Sequence, residues 1–210
     1  AAGPSLNKNI HLLPQIKGRA LLLCVDTVLK KVLDMGVVPD LVLTVERGKI
    51  VYDYFYRDLQ IPKELYFAGL NVVDPNIYQK FGEKALVGFR GTEPLSVWIN
   101  NLVKDKGGVN AGLSVANLSF SVARLMGADP IIFMGQDLAY SESGDSHVNG
   151  TAYDGTRLSE PIVYVNDYQG KPIPSRDIWK KFLTWFEQEI AAAPDGTYID
   201  ATEGGAYIAG

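Results

Sequence analysis

Gly135-Gln136-Asp137 follows the apolar run Ile131-Ile132-Phe133-Met134. A carboxylate just past a buried parallel strand sits where open α/β sheets bind their ligands. Upstream, Gly107-Gly108 precedes an apolar segment that reads as a helix from about Ala111 to Met126, ended by Gly127. Glycines opening a helix leave backbone N–H groups uncovered, and the helix dipole draws an anion to them. Gly3-Pro4-Ser5 is a second small-residue turn that can aim N–H groups at a phosphate. Neither GxGxxG nor GxxxxGK[ST] occurs, which argues against a dinucleotide or P-loop fingerprint.

Other polar residues also close apolar runs. Asp26 follows Leu21–Val25, Glu46 follows Leu41–Val45, Asn71 follows Tyr66–Leu70, and Arg90 follows Leu86–Phe89. Asp200, Thr202 and Glu203 follow the last such run, and the pair Gly204-Gly205 allows a close backbone approach there. In a doubly wound sheet these ends converge on one rim, although polar residues also simply mark where strands stop. His147 lies ten residues past Asp137 and is a candidate general acid or base. His11, in a Leu/Pro context, reads as structural. With only 2 histidines a histidine-rich zinc site is excluded, while rim carboxylates remain able to hold Mg²⁺.

The elements that must position these residues alternate along the chain. Strand-like runs cover Ala20–Val25, Leu41–Val45, Leu65–Phe67, Ala85–Phe89, Ile131–Met134 and Thr197–Ile199. Most are apolar without alternation, as expected of parallel strands covered on both faces. Helices are expected over Thr27–Met35, after the cap Asp74 and Pro75, and after the cap Ser175. Tyr52, Tyr54 and Tyr56 repeat with period two and read as packing residues. Residues 136–174 are polar, with one short strand at Ile162–Val165, and read as a lid-like loop. The expected fold is a Rossmann-like, doubly wound, mostly parallel sheet with helices on both faces, in one domain spanning 1–210.

Composition narrows the function. The 210 residues carry 20 basic and 24 acidic side chains without a basic cluster, so no nucleic-acid groove is expected. Cys24 is the single cysteine and excludes an intrachain disulfide. No apolar run reaches the ~18–20 residues of a membrane span, and a cytoplasmic setting is expected. The start at Ala1-Ala2-Gly3, without Met, suggests a domain from a longer protein.

Four segments carry a resemblance: AAGPSLNKN, VPDLVLTVE, the block from Gly107-Gly108 to GADPIIFMGQDLAY, and the terminal ATEGGAYIAG. In this order they resemble the 6-hydroxymethylpterin diphosphokinase-like family, which includes the central domain of bacterial motility accessory factors that glycosylate flagellin. More distantly the chain is similar to bacterial sialyltransferases, through Gly3-Pro4-Ser5-Leu6 and Gly135-Gln136-Asp137. The resemblance implies that Gly3, Pro4, Ser5 and the Gly107-Gly108 turn touch a nucleotide, and the strand-end reading places Asp26, Asn71, Gly135, Gln136 and Thr202 around it. The sialyltransferases carry a histidine shortly before the last helix. Lys171–Arg176 has none, so Asp137, His147 or Glu203 would serve as the base.

Three functions follow. The first is transfer of a nonulosonic acid from its cytidine monophosphate (CMP) donor to flagellin Ser/Thr, without a cofactor. The second is pyrophosphoryl transfer from ATP to 6-hydroxymethyl-7,8-dihydropterin. It would need Mg²⁺ on Asp26, Glu46 and Asp137, with Arg47, Arg90 or Arg157 near the phosphates. The third is a non-catalytic nucleotide-sugar-binding module.

Overall fold

A computed structural model describes residues 1–104, 106–153, 155–156 and 162–210. The helices are α1 Leu6–Asn9, α2 Leu13–Ile16, α3 Asp26–Asp34, α4 Lys49–Val51, α5 Pro75–Phe81, α6 Pro94–Leu102, α7 Val115–Leu125 and α8 Asp177–Ala191. The strands are β1 Leu23–Val25, β2 Leu41–Thr44, β3 Tyr66–Leu70, β4 Ala85–Gly88, β5 Ile131–Phe133, β6 Ile162–Asn166, β7 Pro172–Arg176 and β8 Tyr198–Asp200. The chain packs as two compact units, one of Ile16–Leu125 and one of Ala1–Gln15 with Met126–Gly210.

The first unit is a four-stranded parallel sheet in the order β1-β2-β3-β4, with α3 and α7 against β1 and β2 and α5 against β3. Every residue of β2 is buried, which explains its unbroken Leu-Val-Leu-Thr run. Asp74 caps α5 by accepting from Asn76 N at 2.9 Å, and Pro75 occupies the first turn as expected. Tyr52–Tyr56 is a π-helical turn, not an extended segment. Its winding buries Tyr56 completely, 6.2 Å from the Phe67 ring, and leaves Tyr54 exposed.

The glycine pair Gly107-Gly108 does not open α7. That helix begins at Val115, and Ser114 starts it: its Oγ accepts from Asn117 N at 3.1 Å and donates to Asn117 Oδ1 at 2.9 Å. The glycines instead lie beside the exit from β4, where Val109 N donates to Phe89 O at 2.8 Å. A Cβ on Gly108 would stand 2.9 Å from Gly91 Cα, so close backbone packing is what requires glycine there.

The second unit contains two pairs of strands. β5 and β8 run parallel, and Phe133 meets Phe186 of α8 at 5.3 Å between ring centroids. β6 and β7 form an antiparallel pair, so the segment expected as a lid contains ordered sheet. Ser175 belongs to β7 and does not cap α8; its Oγ donates to Leu138 O at 2.6 Å, and Arg176 precedes the helix.

Candidate functional site

In the first unit the register places Asp26, Glu46 and Asn71 at the carboxyl ends of β1, β2 and β3. Asp26 is the first residue of α3 and only 4% exposed. Burial pushes its carboxyl up to about 6, against the lowering effect of its hydrogen bonds. Thr44 Oγ1 donates to Asp26 Oδ2 at 2.8 Å and Thr27 N to Oδ1 at 2.7 Å. The Tyr56 hydroxyl lies 2.7 Å from Thr44 Oγ1, which must accept from it because its own proton goes to Asp26. Both carboxylate oxygens are therefore occupied inside the unit.

Further along this rim, Asn71 Oδ1 accepts from Ser96 Oγ at 2.9 Å, and Ser96 Oγ accepts from Arg90 N at 2.9 Å. The Arg90 guanidinium donates to Gly112 O. Glu46 and Arg47 are exposed, and Cys24 is a buried thiol pushed up to about 12 by desolvation. Arg157 lies outside the described residues.

In the second unit four loops meet at the carboxyl ends of β5 and β8. Asp137 is 5% exposed; its Oδ1 accepts from Ser5 Oγ at 2.7 Å and its Oδ2 from Ser5 N at 2.9 Å. Burial raises its carboxyl above the usual range, and the Ser5 hydrogen bonds oppose the rise. Gly3 N donates to Gly135 O at 2.8 Å. A Cβ on Gly3 would fall 2.0 Å from Asp137 Oδ1, and one on Gly205 2.3 Å from Asp137 O. Gln136 N donates to Thr202 Oγ1 at 3.3 Å, and Lys8 Nζ donates to Glu203 O at 2.7 Å. Pro4 has no N–H to offer, and those of Gly3 and Ser5 are engaged internally. The Gly3–Ser5 turn as it stands thus presents no free amide to an anion. Asp137 fastens that turn. Glu203 is exposed, and so is His11.

His147 has a different environment. It follows Ser146, whose Oγ lies 2.8 Å from His147 Nδ1 and donates to Thr156 O at 2.9 Å. A serine has one proton to give, so His147 Nδ1 carries the hydrogen of the first contact and Nε2 keeps its lone pair. The ring stacks on Tyr153 at 4.6 Å and meets Trp179 edge-on at 6.4 Å. Desolvation, then the positive charge of Arg176, pull its pKa down to about 4. Val148 N donates to Ala2 O at 2.9 Å, which joins the histidine loop to the Gly3–Ser5 turn.

Of the residues singled out from sequence, Gly3, Pro4, Ser5, Gly135, Gln136, Asp137, His147, Thr202 and Glu203 lie in this unit. Asp26, Glu46, Asn71, Gly107 and Gly108 lie in the other. Thr44, Ser146, Trp179 and Arg176 contribute to these contacts without having been singled out, and Tyr56, read as a packing residue, adds a hydroxyl to them. Only Arg176 offered a signal, a cation directly before a helix whose first turn holds an aromatic.

The fold defines the class: a Rossmann-like α/β protein with a four-stranded parallel sheet flanked by helices. The chain belongs to the 6-hydroxymethylpterin diphosphokinase MptE-like family, whose family model matches residues 1–143. Among solved structures it is similar to the Maf glycosyltransferase from Magnetospirillum magneticum AMB-1, with a TM-score of 0.76 and 19% identity. The match covers 99% of this chain and 31% of that one, so the chain spans about a third of that protein's length. At this identity the likeness establishes the shared fold. No curated protein matches the sequence. Among the described residues no helix is long and apolar enough to cross a membrane.

Proposed function

We propose that this chain is a nucleotide-sugar-dependent glycosyltransferase domain that moves a nonulosonic acid from its CMP donor to a Ser/Thr hydroxyl, flagellin being the acceptor suggested by the resemblance. His147 carries the reading: a neutral imidazole with Nε2 unengaged among the described residues, on a loop fastened beside Gly3-Pro4-Ser5. In the reaction the acceptor oxygen bonds to the anomeric carbon as the carbon–oxygen bond to phosphate breaks. CMP leaves with the bonding pair, and the hydroxyl proton passes to Nε2. A weak base suffices, because the hydroxyl becomes strongly acidic as it bonds to a cation-like carbon. Asp137 holds the turn in shape and takes no proton. The fold shared with a Maf glycosyltransferase supports the same reading.

The family description names a diphosphokinase, whose Mg²⁺ would need converging carboxylates. Among the described residues no three His, Cys, Asp or Glu side chains are grouped to hold a metal ion, and one or two carboxylates with the ATP phosphates would have to hold it instead. Release of CMP from a CMP-nonulosonic acid, measured in EDTA, tests the proposal. Wild type should release CMP, and His147→Asn should do so about 10²–10⁴-fold more slowly. CMP-sugar binding with neither hydrolysis nor transfer would leave a binding module. ATP- and Mg²⁺-dependent consumption of the pterin would replace the proposal with the kinase.

A further inference from the structure

Arg176 ends β7 and directly precedes α8. Its guanidinium carbon sits 5.3 Å from the Trp179 ring centroid, and its charge is one of the two causes that depress His147. Among the described residues it makes no ion pair. Asp177, its neighbour in the chain, is paired with Lys181 at 2.6 Å instead. A guanidinium over an indole face is held against the ring, and its forked N–H donors suit planar carboxylate or phosphate recognition. The two rings tied to it, Trp179 and His147, bring no negative charge.

We propose that Arg176 is the receptor for the ligand's anionic group, a phosphate or a carboxylate. This rests on the nucleotide-sugar reading, in which the donor offers both: the CMP phosphate and the sugar's carboxylate. The placement has a chemical consequence. An anion on Arg176 offsets the charge that weakens His147, so the imidazole becomes a stronger base when the donor is seated.

The test follows the His147 ring by NMR, with exposed His11 as the internal reference, during titration with CMP, N-acetylneuraminic acid or inorganic phosphate. In wild type the matching probe should raise the His147 midpoint from about 4 toward the ordinary histidine range. In Arg176→Gln that midpoint should already be raised, should not move on titration, and affinity for the probe should fall about tenfold or more. Arg176→Lys keeps the charge and should leave the midpoint low, while its affinity drops for lack of the fork. A response to CMP and not to the free sugar acid assigns the phosphate; the reverse assigns the carboxylate. CMP bound equally well by wild type and Arg176→Gln, with His147 unmoved by CMP, N-acetylneuraminic acid and phosphate alike, would overturn the receptor and spare the nucleotide reading. Phosphate moving His147 through Arg176 while CMP does not bind would spare the receptor and remove that reading.

Discussion

Asp26 in one unit and Asp137 in the other occupy matching places past the carboxyl ends of parallel strands, β1 largely buried and β5 partly exposed at Ile132. Both are nearly inaccessible, and in both each carboxylate oxygen already has a hydroxyl or amide donor. His147 and Arg176 are half-buried, and each keeps a functional atom unengaged among the described residues. In the proposed reading the two strand-tip acids act as fasteners and the reacting group lies elsewhere. Burial makes a carboxylate expensive unless donors satisfy it, and donors that satisfy it make it a fastener. On that reading, reactivity falls to groups whose partners hold them in place without using up their lone pair or N–H donors.

Substitutions can break this contrast. The largest effect should come from His147→Ala, which should slow transfer by about 10²–10⁴-fold, roughly 3–5 kcal/mol in the barrier, and barely change the melting temperature. Wild-type kcat/KM, which reports the free enzyme, should be flat with pH above about 5 and fall as pH drops toward 4, because protonated His147 cannot accept. A rate that instead rises on acidification would move catalysis to a group that must be protonated. Next is Gly3→Ala, whose Cβ would overlap Asp137; about 3 kcal/mol of stability should be lost in denaturant titration. Full stability would mean that Asp137 does not hold the turn.

Asp137→Asn should cost about 1–3 kcal/mol, because an amide presents only one acceptor to the two Ser5 donors. Its loss of rate should follow its loss of folded protein. A large rate loss in a stable variant would restore Asp137 as the base. The smallest effect concerns Asp26, whose carboxyl is raised to about 6 when folded. Between about pH 4 and 6 the folded state therefore binds the extra proton, so this group's contribution to stability declines as pH rises. Asp26→Asn should remove that part of the pH dependence when unfolding is followed across the interval.

The parallel strands were legible because their apolar runs are unbroken, and α5 because Asp74, Pro75 and Gly82 mark its ends. β7 was hidden by Pro172 and Pro174, which ordinarily argue against a strand. They alternate opposite Asn166 and Tyr164, so the residues between them keep their N–H groups for pairing. The tyrosine alternation in Tyr52–Tyr56 imitated a strand, although a π-helical turn buries only the last of the three. The Gly107-Gly108 signal was real but local, reflecting a close approach to Gly91 and not a helix start. The state of His147 was not legible at all, because it depends on Thr156 taking the Ser146 proton and on Arg176 arriving from another strand.

The central claim is that the chain binds a cytidine nucleotide without metal. Calorimetric titration of the purified chain with CMP in EDTA tests it most directly. The expected result is one-to-one binding that persists in the chelator and raises the melting temperature as CMP is added. No heat with CMP, together with saturable binding of ATP only when Mg²⁺ is restored, would contradict it.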